Sequence, residues 1–421
     1  MPQIDKTKRI ELIAIIKQAN RLKYVFTYSE ELGEFFSGNE FYIDYPTEVD
    51  AVPFSIAAIP FVCSVLPIIW LTDSKLYIPE LDKEFLNCLD SIKQGYVDIY
   101  PEVKFMGEII SNEVENAFTG KERKHLAASF FSGGVDATTT LIRHIDEKPL
   151  LITLWGSDVR VSNTREWESV YATLQRSANL FSLPICYIKS SFRNFDRENV
   201  LDSRYHKTLG TGWWYGVKHG IGLIGHAAPL VWLYGIENLY IASSNCPEDG
   251  PNVKCASDPR IDNQVRFCGC RVFHDGFELN RQKKVQYLVN YRKAHPNDSF
   301  ELHVCWESHT GGNCCRCEKC YRTMAELWIE GEDPKDYGFS YTKDVFWKMY
   351  KHVALQHITV APNTWTYSKK CLCDNWDRIK KKPYGRKIKW ICRYDFHNPN
   401  NNLDKRIFMF LKSLKRKLKR Q

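Results

Sequence analysis

The sequence predicts an α/β protein: a parallel sheet with helices on both faces, preceded by a smaller α+β domain and followed by a cysteine knuckle and a basic terminal helix. Three observations predict it. An apolar run from His125 to Phe131 leads through Ser132, Gly133 and Gly134 into a helical stretch and then to a second apolar run, Leu150 to Leu154, the pattern of a βαβ unit. Cys305, Cys314, Cys317 and Cys320 stand at metal-ligand spacing. Residues 376–421 hold sixteen Lys and Arg against three Asp, a net of +13, which leaves −5 for the rest of a chain whose total is +8.

With 421 residues, 44% hydrophobic and 26% charged, the chain can bury a full core and is long for one compact domain. We divide it into an α+β domain (1–120), a nucleotide-binding domain with the cysteine site (121–340), an extension (341–402) and a basic amphipathic helix (403–421). Fifteen cysteines without an N-terminal signal peptide point to a reducing, cytoplasmic setting.

In the first domain, Tyr24 to Tyr28, Glu40 to Tyr45 and Leu76 to Ile78 read as strands and Leu81 to Gln94 as an amphipathic helix. Ala51 to Leu71 carries no charge over 21 residues, long enough to span a bilayer. Pro53, Pro60 and Pro67 interrupt helix hydrogen bonding and acidic Asp50 and Asp73 flank it, so buried short helices are the expectation.

At the turn after Phe131, two consecutive glycines permit backbone angles closed to other residues, and the amides from Ser132 to Val135 can converge on an anion. The helix from about Asp136 to His144 adds its positive end. Asp136 is placed to cap that helix or to hold magnesium against phosphates. An isolated S-G-G is also an ordinary tight turn; the βαβ context favours the phosphate site, whose crevice lies at the carboxyl ends of the strands, near Leu154 and Gly156.

Downstream, Leu209 to Gly225 is glycine-rich and suits a helix packed closely on the sheet, with Trp213, Trp214, Lys218 and His219 as candidates to face the crevice and core packing as the alternative for both tryptophans. Leu239 to Ala242 reads as a strand delivering Ser243, Ser244 and Asn245 to the same crevice. Asp262 and His274 are candidate general bases, with a structural hydrogen bond as the competing role. Arg281 and Lys284, three apart on one helical face, are candidates to stabilise a departing pyrophosphate. A solvated basic helix explains them equally well.

Four thiolates from Cys305, Cys314, Cys317 and Cys320 suit tetrahedral zinc, with Cys315 as the spare. Disulfides and an iron–sulfur cluster are the rivals. With every ligand from the protein, such a site is structural.

At S-G-G-V-D the sequence resembles the PP-loop ATP pyrophosphatases, whose signature is S-G-G-x-D followed by Ser or Thr. That loop followed far downstream by a four-cysteine zinc knuckle is similar to the 7-cyano-7-deazaguanine synthase branch of the superfamily, over roughly Lys124 to Phe339. The resemblance implies a Rossmann-like, adenine nucleotide alpha hydrolase-like fold and an enzyme that cleaves ATP to AMP and pyrophosphate. Adenylation would activate a carboxylate or amide-like oxygen for attack by ammonia or another nitrogen nucleophile. It implies ATP with Mg2+, and Zn2+ on the four cysteines. Together with the crevice reading above, the candidate ATP contacts are Ser132, Gly133, Gly134, Val135, Asp136, Thr138, Thr139, Leu154, Gly156, Ser243 and Ser244, and the candidate catalytic residues are Asp136, Arg281, Lys284, His274 and Asp262. The chain departs from the signature at Ala137, where the family has a hydroxyl; Thr138 and Thr139 follow directly. No N-terminal cysteine glutaminase is visible, so ammonia would arrive free or from a partner. The acceptor would be a deazapurine, another nucleoside precursor or a sugar or surface-polysaccharide precursor. Sulfur transfer through Cys246, Cys255, Cys268 or Cys270, or an inactive nucleotide-binding scaffold, are the alternatives.

From Leu403 onward, Leu403, Ile407, Phe408, Phe410, Leu411, Leu414 and Leu418 recur at helical spacing among Lys405, Arg406, Lys412, Lys415, Arg416, Lys417, Lys419 and Arg420. Such a helix suits peripheral contact with the inner face of a membrane, an acidic protein or, less well, RNA, or it packs its leucines on the body.

Overall fold

Eleven strands form one sheet in the computed structural model, which describes residues 8–118, 120, 123–305, 307–308, 311–356 and 358–418. They are β1 (Arg9–Gln18), β2 (Arg21–Tyr28), β3 (Glu40–Asp44), β4 (Lys75–Asp82), β5 (Glu108–Val114), β6 (Ala127–Phe130), β7 (Leu150–Trp155), β8 (Ile185–Ser190), β9 (Asn238–Ala242), β10 (Arg266–Phe267) and β11 (Cys270–Asp275). Their order is β10-β11-β9-β6-β7-β8-β3-β2-β1-β4-β5. Lys419 and Arg420 of the tail lie outside the described residues.

The run β11-β9-β6-β7-β8 is parallel throughout. From β6 the chain steps one way to β7 and β8, then returns to the other side of β6 for β9 and β11. The order therefore reverses between β6 and β9, and such a reversal opens a crevice at the strands' carboxyl ends. Alternate residues of β7 enter different cores: Leu150, Ile152 and Leu154 pack with one, Leu151 with the other, beside Ala137, Leu141 and Leu174. A strand covered on both faces favours apolar residues at every position, which explains a run of L-L-I-T-L in which Thr153 is the one polar residue.

The amino-terminal strands continue this sheet. Ile43 and Asp44 of β3 pair antiparallel with Ser190 and Lys189 of β8, and one hydrophobic core runs from Ile10 to Val272. The boundary drawn at residue 120 falls between β5 and β6 and does not interrupt the sheet.

The uncharged segment forms two helices, Phe54–Ala57 and Ile59–Thr72. Every residue from Ile59 to Trp70 is buried, so its lack of charge reflects the core. Pro60 falls in the first turn, where its missing N–H has no intrahelical partner to lose. Pro67 lies inside that same helix, which continues through it rather than ending there as expected. Among the described residues no helix is long and apolar enough to cross a membrane. The glycine-rich stretch packs against this helix: a Cβ on Gly225 would lie 2.5 Å from Cβ of Cys63. Trp213 is buried, and Lys218 forms a fully buried ion pair with Asp196 at 2.6 Å. The structure thus gives Gly225 a helix as its neighbour and Trp213 and Lys218 interior roles.

Candidate functional site

The site is built where β6 ends. Gly133 takes φ +72°, and a Cβ there would lie 2.8 Å from Cδ2 of Leu174 and 3.2 Å from Cβ of His303, so the sharp turn requires glycine. Gly134 caps the helix Val135–Arg143 in an extended conformation. The first intrahelical bond runs from the Thr138 N–H to the Gly134 carbonyl, and among the described residues the backbone N–H groups from Ser132 to Ala137 find no acceptor. Unpaired amides at a turn and a helix start form an anion-binding nest.

Asp136 lies in the first turn of that helix, and the structure brings Arg281 and Lys284 to it. Arg281 Nη1 donates to Asp136 Oδ2 at 2.9 Å, and Lys284 Nζ approaches Oδ1 at 3.3 Å. Lys284 also donates to the Ser243 carbonyl at the end of β9. Arg281 reaches on to Glu326 at 3.2 Å and to the Thr323 hydroxyl at 3.0 Å. Burial pushes the Asp136 carboxyl up, but Lys284 and Arg281 outweigh it and hold the group below its ordinary value. Glu326 goes the other way: burial raises it and Arg281 recovers only part. The result is two cations on Asp136, one of them shared with the buried Glu326, beside amides that find no acceptor among the described residues.

The other expected contacts divide. Ser132 and Ser244 are exposed at the carboxyl ends of β6 and β9. Among the described residues the buried Thr138 hydroxyl finds no partner, whereas the Thr139 hydroxyl donates back to the Val135 carbonyl at 2.8 Å. Leu154 is a core residue of β7, and Gly156 takes φ +113° with the Ser190 carbonyl 1.9 Å from where a Cβ would sit. The Ser243 hydroxyl is spent on the Asn245 carbonyl at 2.7 Å. Asp262 and His274 meet each other: His274 Nδ1 lies 2.8 Å from Asp262 Oδ2, which also accepts from Ser257 at 2.7 Å, and both side chains are sealed from solvent. His274 Nε2 has no partner in that interior. His219 sits in the electrostatic neighbourhood of Asp158 and Asp262, with its pKa lowered by burial.

The four cysteines converge. Their sulfurs all lie within 4.8 Å of one another, with Cys305 to Cys317 at 3.8 Å and Cys314 to Cys320 at 4.0 Å. Four thiolates at about 2.3 Å from zinc define a tetrahedron with edges of about 3.8 Å, so the donor set fits a tetrahedral metal ion such as zinc. All are free cysteines, and the fifth, Cys315, turns its thiol to the Asn313 carbonyl. Asn313 ties the ligand segments together by accepting from the Val304 N–H and donating to the Leu302 carbonyl.

This knuckle is coupled to the loop by two routes. Two residues before Cys305, the His303 N–H donates to the Gly133 carbonyl at 2.8 Å. Cys317 caps the helix Glu318–Glu330, which supplies Glu326 and Thr323 to Arg281. Glu318, Arg322, Glu326 and Glu330 recur every four residues along it, a polar stripe of which the last three are buried with the rest of the helix. That ladder was readable in the sequence and is the signal that would have found Glu326.

No family model, curated protein or solved structure matches the chain.

Proposed function

We propose that the protein is an ATP-dependent adenylating enzyme of the PP-loop ATP pyrophosphatase type, built on a Rossmann-like sheet. One observation carries the reading: the amides of Ser132 to Ala137, unpaired among the described residues, and the Asp136–Arg281–Lys284 cluster meet where the strand order reverses. Amides at such a crevice favour phosphate, and two clustered cations offer compensation for the charge that develops on a leaving pyrophosphate.

In this reading the acceptor oxygen attacks the α-phosphorus, its bond to phosphorus forms as the bond to pyrophosphate breaks, and a nitrogen nucleophile then displaces AMP. The nest holds the phosphates in line, and Arg281 and Lys284 exchange Asp136 for phosphate oxygens. Asp136, so released, is the carboxylate suited to Mg2+, which takes one or two protein carboxylates plus phosphate oxygens. Zinc would be held by Cys305, Cys314, Cys317 and Cys320 as a structural ion. The sealed Asp262–His274 pair serves the fold better than proton transfer.

Burial raises the thiols of Cys246, Cys255, Cys268 and Cys270 above their ordinary values, which makes them poor nucleophiles and speaks against sulfur transfer. The test is AMP and pyrophosphate release from ATP and Mg2+ across a panel of carboxylated nucleobases and sugars with ammonia. Turnover with one acceptor, abolished in Asp136→Ala, is expected. Binding of ATP without turnover across the panel would favour a scaffold instead.

A further inference from the structure

The terminal helix Leu403–Leu418 is anchored at its start. Lys405 is buried and its ammonium donates to Asn400 at 2.6 Å, while the Tyr350 hydroxyl donates to Asp404 at 2.7 Å. Its apolar side points outward: Leu403 is 66% exposed, Ile407 50%, Phe410 64%, Leu411 57% and Leu414 41%. At about 100° per residue these five fall within an arc of about 100°. A surface helix of a globular protein normally turns such a stripe to the core. Here the body takes the Lys405 side and the stripe is left to water.

Tyr350, which holds the helix, also packs edge to face on Trp390 at 5.5 Å. The neighbouring Lys389 lines a concavity of about 600 Å³ together with Trp376, Lys380, Lys381 and Arg386. The start of the apolar stripe and the concavity thus lie beside the same Tyr350–Trp390 pair. Lys380 is paired with Asp377, so Lys381, Arg386 and Lys389 supply most of the concavity's charge, in the part of the chain that carries a net +13.

We infer that this surface seats on an anionic lipid bilayer. The stripe enters the boundary between headgroups and acyl chains, and the concavity takes phosphate headgroups. A nucleic acid would satisfy the cations but leave five apolar side chains in water. A second copy of the chain would bring two strongly positive surfaces together. A bilayer with negative headgroups satisfies both features at once.

The test is co-sedimentation of the full chain with vesicles of phosphatidylcholine alone or mixed with phosphatidylserine. Binding to the mixed vesicles, weak binding to the neutral ones and release by salt are expected. Lys380→Ala with Lys389→Ala should weaken binding roughly five-fold per cation, and Phe410→Ser with Leu414→Ser roughly ten-fold or more. Both pairs are exposed, so unfolding midpoints should stay at the parent value, which separates lost binding from lost folding. Equal binding to neutral vesicles, no binding to either, tighter binding to single-stranded RNA than to vesicles, or a dimer that Phe410→Ser and Leu414→Ser abolish would each overturn the inference. It does not depend on the nucleotide chemistry.

Discussion

Replacing Arg281 with methionine removes the cation that stands between Asp136 at 2.9 Å and Glu326 at 3.2 Å. Removing one partner of a buried ion pair costs about 3–5 kcal/mol, because the remaining charge is left uncompensated. Asp136 is 23% exposed and keeps Lys284, whereas Glu326 is fully buried. The penalty therefore falls mainly on Glu326, and about 3 kcal/mol is expected at pH 8. Its pH dependence has a definite sign. Burial already raises the Glu326 pKa, and without Arg281 it rises further. An acid whose folded pKa exceeds its unfolded value of about 4.3 binds its proton first in the folded state. Stability then falls as pH climbs from the unfolded pKa through the folded one and levels off above it. Urea unfolding of R281M should show a smaller loss near pH 5 than at pH 8, and adding Glu326→Gln should restore most of it. A loss below about 1 kcal/mol at pH 8, the size of an exposed pair, would refute the reasoning. So would equal losses at both pH values.

Gly133→Ala should cost about 1–2 kcal/mol for the left-handed backbone alone, and more for its 2.8 Å approach to Leu174. Gly134→Ala meets ordinary contacts at 3.6 and 3.7 Å, so equal unfolding midpoints for the two variants would contradict the loop geometry. Elemental analysis should find a single zinc per chain and no iron. Cys317→Ser should release it, lower the unfolding temperature and weaken ATP binding, because Cys305 and His303 connect the knuckle to Gly133; unchanged ATP affinity would count against that coupling. Burial opposes the charged form of His144, but hydrogen bonds to Asp275 and Glu147 prevail and raise its pKa. Its contribution is therefore complete below about pH 6.5 and lost as pH rises through the folded value. His144→Gln should flatten the stability profile above pH 6.5, and an unchanged slope there would exclude the contribution.

Local chemistry made parts of this architecture legible. The β6–loop–helix–β7 unit, the cysteine cluster and the buried fate of Ala51 to Leu71 all rest on patterns within about thirty residues: an apolar run, a glycine pair, ligand spacing, spaced prolines. Asp136, Arg281 and Lys284 could be singled out one by one by charge and position, yet nothing local showed that they touch, because the contacts span more than a hundred residues. The joining of β3 to β8 through two residue pairs left no trace either, and β1 and β5 went unread. Lys218 illustrates the limit from the other side. A lysine among glycines reads as a candidate for the crevice, but Asp196, too far along the chain for any spacing rule, draws it into the core.

In the proposed reading the amides around Gly133 and Gly134 surround the phosphates of ATP. Calorimetric titration of the full protein with a non-hydrolysable ATP analogue and Mg2+ tests it most directly. Saturable uptake at a single site, lost in Gly133→Ala and retained in Lys380→Ala, is the expected result. No heat of binding, or uptake that Gly133→Ala leaves unchanged, would contradict the account.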